Sequence, residues 1–112
     1  MKPTKVIIIA TDFTDAPGAR YKEDGPFSGE EFYERLLLPA YQDVVRNKGI
    51  LLIDLDDTWG YASSFISGAF GKLSQNFGAE IVLKHLLFKS DDSPALIQKV
   101  QNEIRNPIRI KK

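Results

Sequence analysis

Three short apolar runs, separated by stripes of helical period, constrain this chain more than anything else in it. Val6-Ile-Ile-Ile-Ala10 is continuous and β-branched, the composition of a buried strand. Ile50–Leu55 and Ile81–Phe88 are of the same kind and predict a second and a third strand. Between the first two, Ser28-Gly-Glu-Glu31 places a hydroxyl three residues before a glutamate, the arrangement that satisfies free amides at a helix start. Phe32, Leu36, Ala40, Tyr41, Val44 and Val45 then form one apolar stripe, which Asn47-Lys-Gly49 stops. Pro39 lies inside that stripe and must bend or divide the helix. A second stripe, Ile66, Ala69, Phe70, Leu73 and Phe77, starts at Ser63 or Ser64 and ends at Asn76-Phe-Gly78. In the final helix Ser93 caps, Pro94 sits in the first turn, and Leu96, Ile97, Val100 and Ile104 face inward.

Strands alternating with helices predict an α/β domain, a small mixed sheet with helices packed on it. A chain of 112 residues gives one domain, 1–112, with one core. So few strands leave one face of the sheet partly open. The aperiodic stretch from Asp12 to Ser28 reads as a long loop with a short extended piece around Ala19–Tyr21, and Ile108–Ile110 as a last short extension.

Charge narrows the functional classes. Fifteen Lys and Arg balance fifteen Asp and Glu, so no net field draws in nucleic acid or an acidic membrane. The basic tail, Arg105, Arg109, Lys111 and Lys112, is too sparse for a phosphate-binding face. There is no cysteine and a single histidine, His85, which leaves carboxylates as the remaining metal ligands; neither a metal nor a cofactor is expected. No apolar run is long enough for a signal-peptide core or a membrane span, and a cytoplasmic location is the expectation. His85, within the third apolar run, is expected to be a satisfied interior or edge histidine.

Chemistry concentrates between residues 51 and 65. The end of the second run, Asp54-Leu-Asp-Asp-Thr58, resembles the first motif of the haloacid-dehalogenase-like phosphotransferases. That resemblance implies a nucleophilic Asp54, an acid Asp56 and a magnesium ion, since residues two apart on a strand share a face. Ser63, Lys84 or Lys89, and Asp91-Asp92 are candidates for the remaining parts of such a site. The family carries this motif on its first strand, however, and little more than half of this chain follows Asp54.

A longer resemblance runs through Gly18-Ala-Arg-Tyr21, Gly25-Pro-Phe-Ser-Gly-Glu-Glu-Phe32, Leu36-Leu-Leu-Pro39, Ile53-Asp-Leu-Asp56, Gly60-Tyr-Ala-Ser-Ser-Phe65 and Ala69-Phe-Gly71. In these blocks the chain resembles the STAS-like domain family of unknown function, relatives of the anti-anti-sigma factors. The resemblance implies a non-catalytic regulatory domain whose partner is a GHKL-type ATP-binding protein or kinase. It also implies a phospho-acceptor serine at the helix start, Ser64 or Ser63, although Ala62 and Phe65 stand where anti-anti-sigma factors have aspartate and glycine. A ligand-sensing STAS module is a further alternative. A phosphate there would meet free amides and add about two negative charges to a docking surface, while serine is equally a preferred helix cap. The expected docking surface is Asp57, Thr58, Trp59, Gly60, Tyr61 and Phe65, extended by Arg20, whose guanidinium either forks onto an anion or pairs with Glu23 or Asp24.

Overall fold

The structure is a computed structural model that describes residues 2–108. Strand β1 (Lys5–Ile8) runs straight into a single helical turn, α1 (Ile9–Asp12), so Ile9 and Ala10 leave the strand that the sequence assigned them to. A helical rod follows in three segments: α2 (Gly29–Phe32), a π-helical segment (Tyr33–Leu37) and α3 (Leu38–Arg46). After β2 (Leu51–Asp54) a second rod repeats the pattern, with α4 (Ser63–Ile66), a π segment (Ser67–Gly71) and α5 (Lys72–Phe77). Helix α6 (Ala79–His85), strand β3 (Leu86–Lys89) and helix α7 (Pro94–Arg105) complete the described chain. None of these helices is long and apolar enough to cross a membrane.

The expected small sheet with helices packed on it is present, with β2 central and its pairings parallel rather than mixed. Ile7, Leu51, Ile53 and Leu86 are buried beneath the helices, whereas Val6 and Leu87 on the other face are exposed. All the covering helices therefore lie on one face, and the core is a single layer between sheet and rods. Phe32, Phe65 and Phe70 are fully buried in it, with ring centroids 5.7 Å apart for Phe32–Phe65 and 6.0 Å for Phe32–Phe70.

Pro39 lies in the first turn of α3, where the first rod divides. A proline ring clashes with the carbonyl four residues back. Here the turn widens just before the ring: the Leu38 amide donates to the Tyr33 carbonyl, five residues back, and Leu37 and Leu38 keep helical dihedrals. The run Ile81–Phe88, read as a strand, divides instead. Its first five residues belong to α6, because Ala79, Val82, Leu83 and Leu86 make an inward stripe at spacings of three and four, leaving Ile81 and Lys84 outside. Branched composition concealed that period. His85 thus ends a helix, half-buried, with Nδ1 3.0 Å from the Gly49 carbonyl.

The long loop is tied down, with a 3-10 turn at Lys22–Asp24 and no strand at 19–21. Its Ala19 and Arg20 carbonyls accept from the Gly29 and Glu30 amides at 2.8 and 3.0 Å, and the Ser28 hydroxyl accepts from Glu31 at 3.0 Å. The free amides at the start of α2 are thereby satisfied. Ser93, by contrast, holds the N-cap position of α7 without a side-chain cap bond. The extension expected at Ile108–Ile110 lies largely outside the described residues.

The two rods meet where neither has a side chain. A Cβ on Gly29 would strike the Phe65 carbonyl and come within 2.9 Å of the Ala69 nitrogen and 3.0 Å of the Gly68 carbonyl carbon. Gly68 is in turn closed off by the Arg20 backbone. Gly29→Ala is therefore expected to destabilise the domain by about 1–3 kcal/mol, the usual cost of overpacking against backbone. Urea unfolding should show a lower midpoint with an unchanged slope; an unaltered midpoint would refute this close packing.

Candidate functional site

The carboxyl end of β2 gathers most of the residues that the sequence singled out. Asp54 ends the strand, and its Oδ1 accepts from the Asp56 amide at 3.0 Å, a local turn that short acidic side chains favour. Asp56 is only 5% exposed, and both of its oxygens are used. Oδ1 accepts from the Asp92 amide at 2.8 Å, while Oδ2 accepts from the Asp91 amide at 3.0 Å and from Lys89 Nζ at 2.7 Å. Those amides and that ammonium hold the Asp56 carboxyl down at about 2, against the smaller upward push of desolvation. Lys89 is raised in return, by Asp56 first and then by Asp91, whose Oδ2 lies 3.0 Å away. Asp54 Oδ2 stands at 3.9 Å from the same ammonium.

Three carboxylates thus converge on an ammonium. The phosphotransferase reading expected Asp54 and Asp56 beside a lysine and further acids, and Lys89, Asp91 and Asp92 do come to them; Lys84 is exposed on α6 instead. Among the described residues no group of three or more His, Asp or Glu is disposed to hold a metal ion. Asp56 is also no surface carboxylate. It clamps the loop after β3 to the end of β2.

The clamp carries the next loop. The Asp57 amide, at a left-handed φ of 67°, donates to Asp92 Oδ2 at 3.0 Å, and the Trp59 amide donates to the Asp15 carbonyl at 2.8 Å. Gly60 takes a φ of 136°, a conformation that a side chain would strain. The half-buried Tyr61 hydroxyl donates to the Leu55 carbonyl at 3.1 Å, and burial raises its ionisation well above the usual range. Trp59 stands at the crest of this anchored loop, 88% exposed. Large aromatic surface left in water on a fixed support is what an interface anchor requires.

Other expected members fall elsewhere. Phe65 is fully buried against Phe13, Phe32 and Tyr61, so it belongs to the core and cannot touch a partner. Thr58 is half-buried, and Asp57 and Gly60 are exposed. Ser63 is exposed and Ser64 half-buried, but Ala62 occupies the N-cap position and no side chain caps this helix, which corrects the expectation that a serine does. Arg20 is half-buried with its Nε enclosed and unbonded, and among the described residues no ion pair joins it to Glu23 or Asp24. Sequence reasoning missed the anchoring role of Asp15, Asp91 and Asp92, because each of them, through its backbone or its carboxylate, meets groups distant in the chain.

A small parallel sheet with helical rods on one face, closed at its carboxyl edge by a carboxylate clamp, is an α/β domain of the STAS-like type. The profile of the family described as a STAS-like domain of unknown function matches residues 28–95, and the chain belongs to that family. No curated protein and no solved structure gives a significant match.

The clamp has a pH signature. A carboxyl depressed on folding stabilises the native state above its unfolded pKa, near 4, and that contribution is lost as pH falls toward its native value of about 2. Asp56→Asn is expected to melt below the parent at pH 6, with the gap closing between about pH 4 and 2. Thermal melts across that range check it, and a gap independent of pH would show that the charge of Asp56 contributes nothing.

Proposed function

We propose that this STAS-like domain is a non-catalytic regulatory module that docks a protein partner through the loop presenting Trp59. The observation that carries the reading is the 88% exposure of Trp59 on a loop pinned by Asp15, Asp92 and Leu55. A loop whose backbone is already pinned loses little freedom on binding, which lets a single large aromatic dominate an interface. The partner class is a GHKL-type ATP-binding regulator, the class implied by the resemblance to anti-anti-sigma factors, and the docking surface is Asp57, Thr58, Trp59, Gly60 and the rim of Tyr61, with Arg20 to one side.

Ser64 is the switch in this proposal, with exposed Ser63 as the second acceptor. A phosphate at the head of the second rod adds close to two negative charges a few residues from Asp57 and the clamp. Like charges raise the cost of closing a partner over that edge, so phosphorylation releases the partner.

The phosphotransferase alternative is favoured by one observation, the convergence of Lys89 on Asp54 and Asp56. Weighing against it is the use of both Asp56 oxygens in holding the chain, since a catalytic acid needs a free oxygen for its proton. Magnesium-dependent phosphatase turnover abolished by Asp54→Asn would establish that alternative.

With a purified GHKL-type partner, Trp59→Ala is expected to weaken binding about thirtyfold, the ~2 kcal/mol of an anchoring aromatic, without lowering the melting temperature. Ser64→Asp should weaken it as well, Ser64→Ala should not, and ATP should add one phosphate to the parent by intact mass. Equal affinity of the parent and Trp59→Ala would end the docking proposal; equal affinity of Ser64→Ala and Ser64→Asp would end the switch.

A further inference from the structure

Two enclosed side-chain atoms among the described residues have no hydrogen-bond partner, Arg20 Nε and the Ser67 hydroxyl. The hydroxyl is neutral. Arg20 carries a charge that it cannot lose, and an enclosed donor of a charged group is the costlier one to leave unpaired. The carboxylates that adjoin it are engaged elsewhere: Glu30 accepts from the Lys22 amide at 2.9 Å, and Glu31 from the Phe27 amide at 3.3 Å and from Arg35 at 2.7 Å. Among the described residues no carboxylate forms an ion pair with Arg20.

Backbone packing decides what lies beside it. The Arg20 carbonyl is fixed by the Glu30 amide at 3.0 Å, and a Cβ on Gly68 would stand 3.2 Å from the Arg20 Cα. The long loop therefore lies directly on that turn of the second rod. Residues four apart on a helix share a face, so the side chains flanking Gly68 there are Ser64, one turn before, and Lys72, one turn after. Lys72 is itself a cation, with its ammonium 5.1 Å from the centre of the Tyr33 ring. Ser64 is half-buried, and the helical spacing of about 5–6 Å keeps its Cβ within about 9 Å of the Arg20 Cα. An extended arginine and a phosphorylated serine together span that gap. Ser63 is exposed and lies about 100° further round the rod.

We infer that Arg20 receives the phosphate carried by Ser64, its guanidinium forking onto the phosphoryl oxygens with Nε–H as one of the donors, so that modification ties the long loop to the second rod. The inference rests on Ser64 being the phospho-acceptor proposed above, and it gives that switch a receiver within the chain. In the transfer, Ser64 Oγ bonds to the γ-phosphorus of ATP, the bond from that phosphorus to the β–γ bridging oxygen breaks, ADP leaves and the hydroxyl proton passes to solvent. Because Nε is enclosed, an anion free in solution meets only the outer nitrogens, whereas one borne by a half-buried neighbour meets Nε as well. The pair also takes Arg20 out of the docking surface while charge is added near Asp57, so one modification acts on the partner twice.

The test needs neither kinase nor partner. Phosphoserine is inserted by genetic encoding at position 64, and in a second protein at position 63, and each phosphate is titrated by 31P NMR. On Ser64 the second ionisation is expected at about pH 5 instead of the ordinary value of about 6, returning to about 6 in Arg20→Gln and lying between in Arg20→Lys, which keeps the charge without the fork. On Ser63 it should stay at about 6 with or without Arg20. The 15N–1H signal of Arg20 Nε should move when Ser64 carries phosphate and hold still when Ser63 does, a readout that needs no substitution at Arg20. The inference is overturned if the phosphate on Ser64 titrates alike in the parent and in Arg20→Gln, or if the Nε signal does not respond to it. It is equally overturned if inorganic phosphate added to the unmodified protein moves that signal as far, because the guanidinium then serves a ligand from solution. A partner that binds Ser64→Ala and Ser64→Asp equally would end the switch and leave these readings unchanged, so the two ideas fail separately.

Discussion

One buried carboxylate holds the carboxyl edge of the sheet together. Asp56 sits where β2 runs out, away from water, and survives there because two backbone amides and an ammonium replace its lost hydration. The amides belong to the loop after β3, so a single side chain joins the ends of two strands that the ladder no longer pairs. From that junction the loop carrying Trp59 takes its support, through Asp57 on one side and Asp15 on the other. The second rod starts directly beyond it.

A second constraint acts beneath the first. The two helical rods touch at Gly29 and Gly68, and the contact is closed by backbone, so neither rod can shift without opening it. It lets the Phe32 and Phe65 rings pack, tilted, across the joint, and it holds the Arg20 backbone against the second rod. The long loop, aperiodic and polar in sequence, is thereby kept in place by hydrogen bonds to the start of α2.

Much of the architecture was legible because it follows from short-range rules. The β-branched runs marked β1 and β2, Ser28-Gly-Glu-Glu31 marked the start of the first rod, and Pro94 marked the start of α7. Ile81–Phe88 was misread because branched residues serve a buried helix face as well as a strand, and only packing against the neighbouring helices separates the two. Pro39 marked where the first rod divides: a widened turn accommodates the ring, and the burial of Tyr33 and Leu37 stabilises that turn. Of the candidate site, the segment from Asp54 to Ser64 was visible, but not which of its side chains face water. Trp59 and Phe65 are both aromatic and six residues apart, yet one is exposed and the other lies at the centre of the core.

The sequence by itself determined an α/β domain with a small sheet, the order of its strands and of its larger helical runs, its place among STAS-like domains and the stretch where its acidic and hydroxyl residues gather. These rest on periodicity, capping and local motif, which act within a few residues. Only the tertiary structure decided that Asp56 is a clamp, that Asp15 and Asp92 hold the Trp59 loop, and that one face of a parallel sheet stands open. Each of those depends on groups far apart in the chain meeting at bonding distance, and burial, which sets the energy of every such meeting, has no value until the chain has folded.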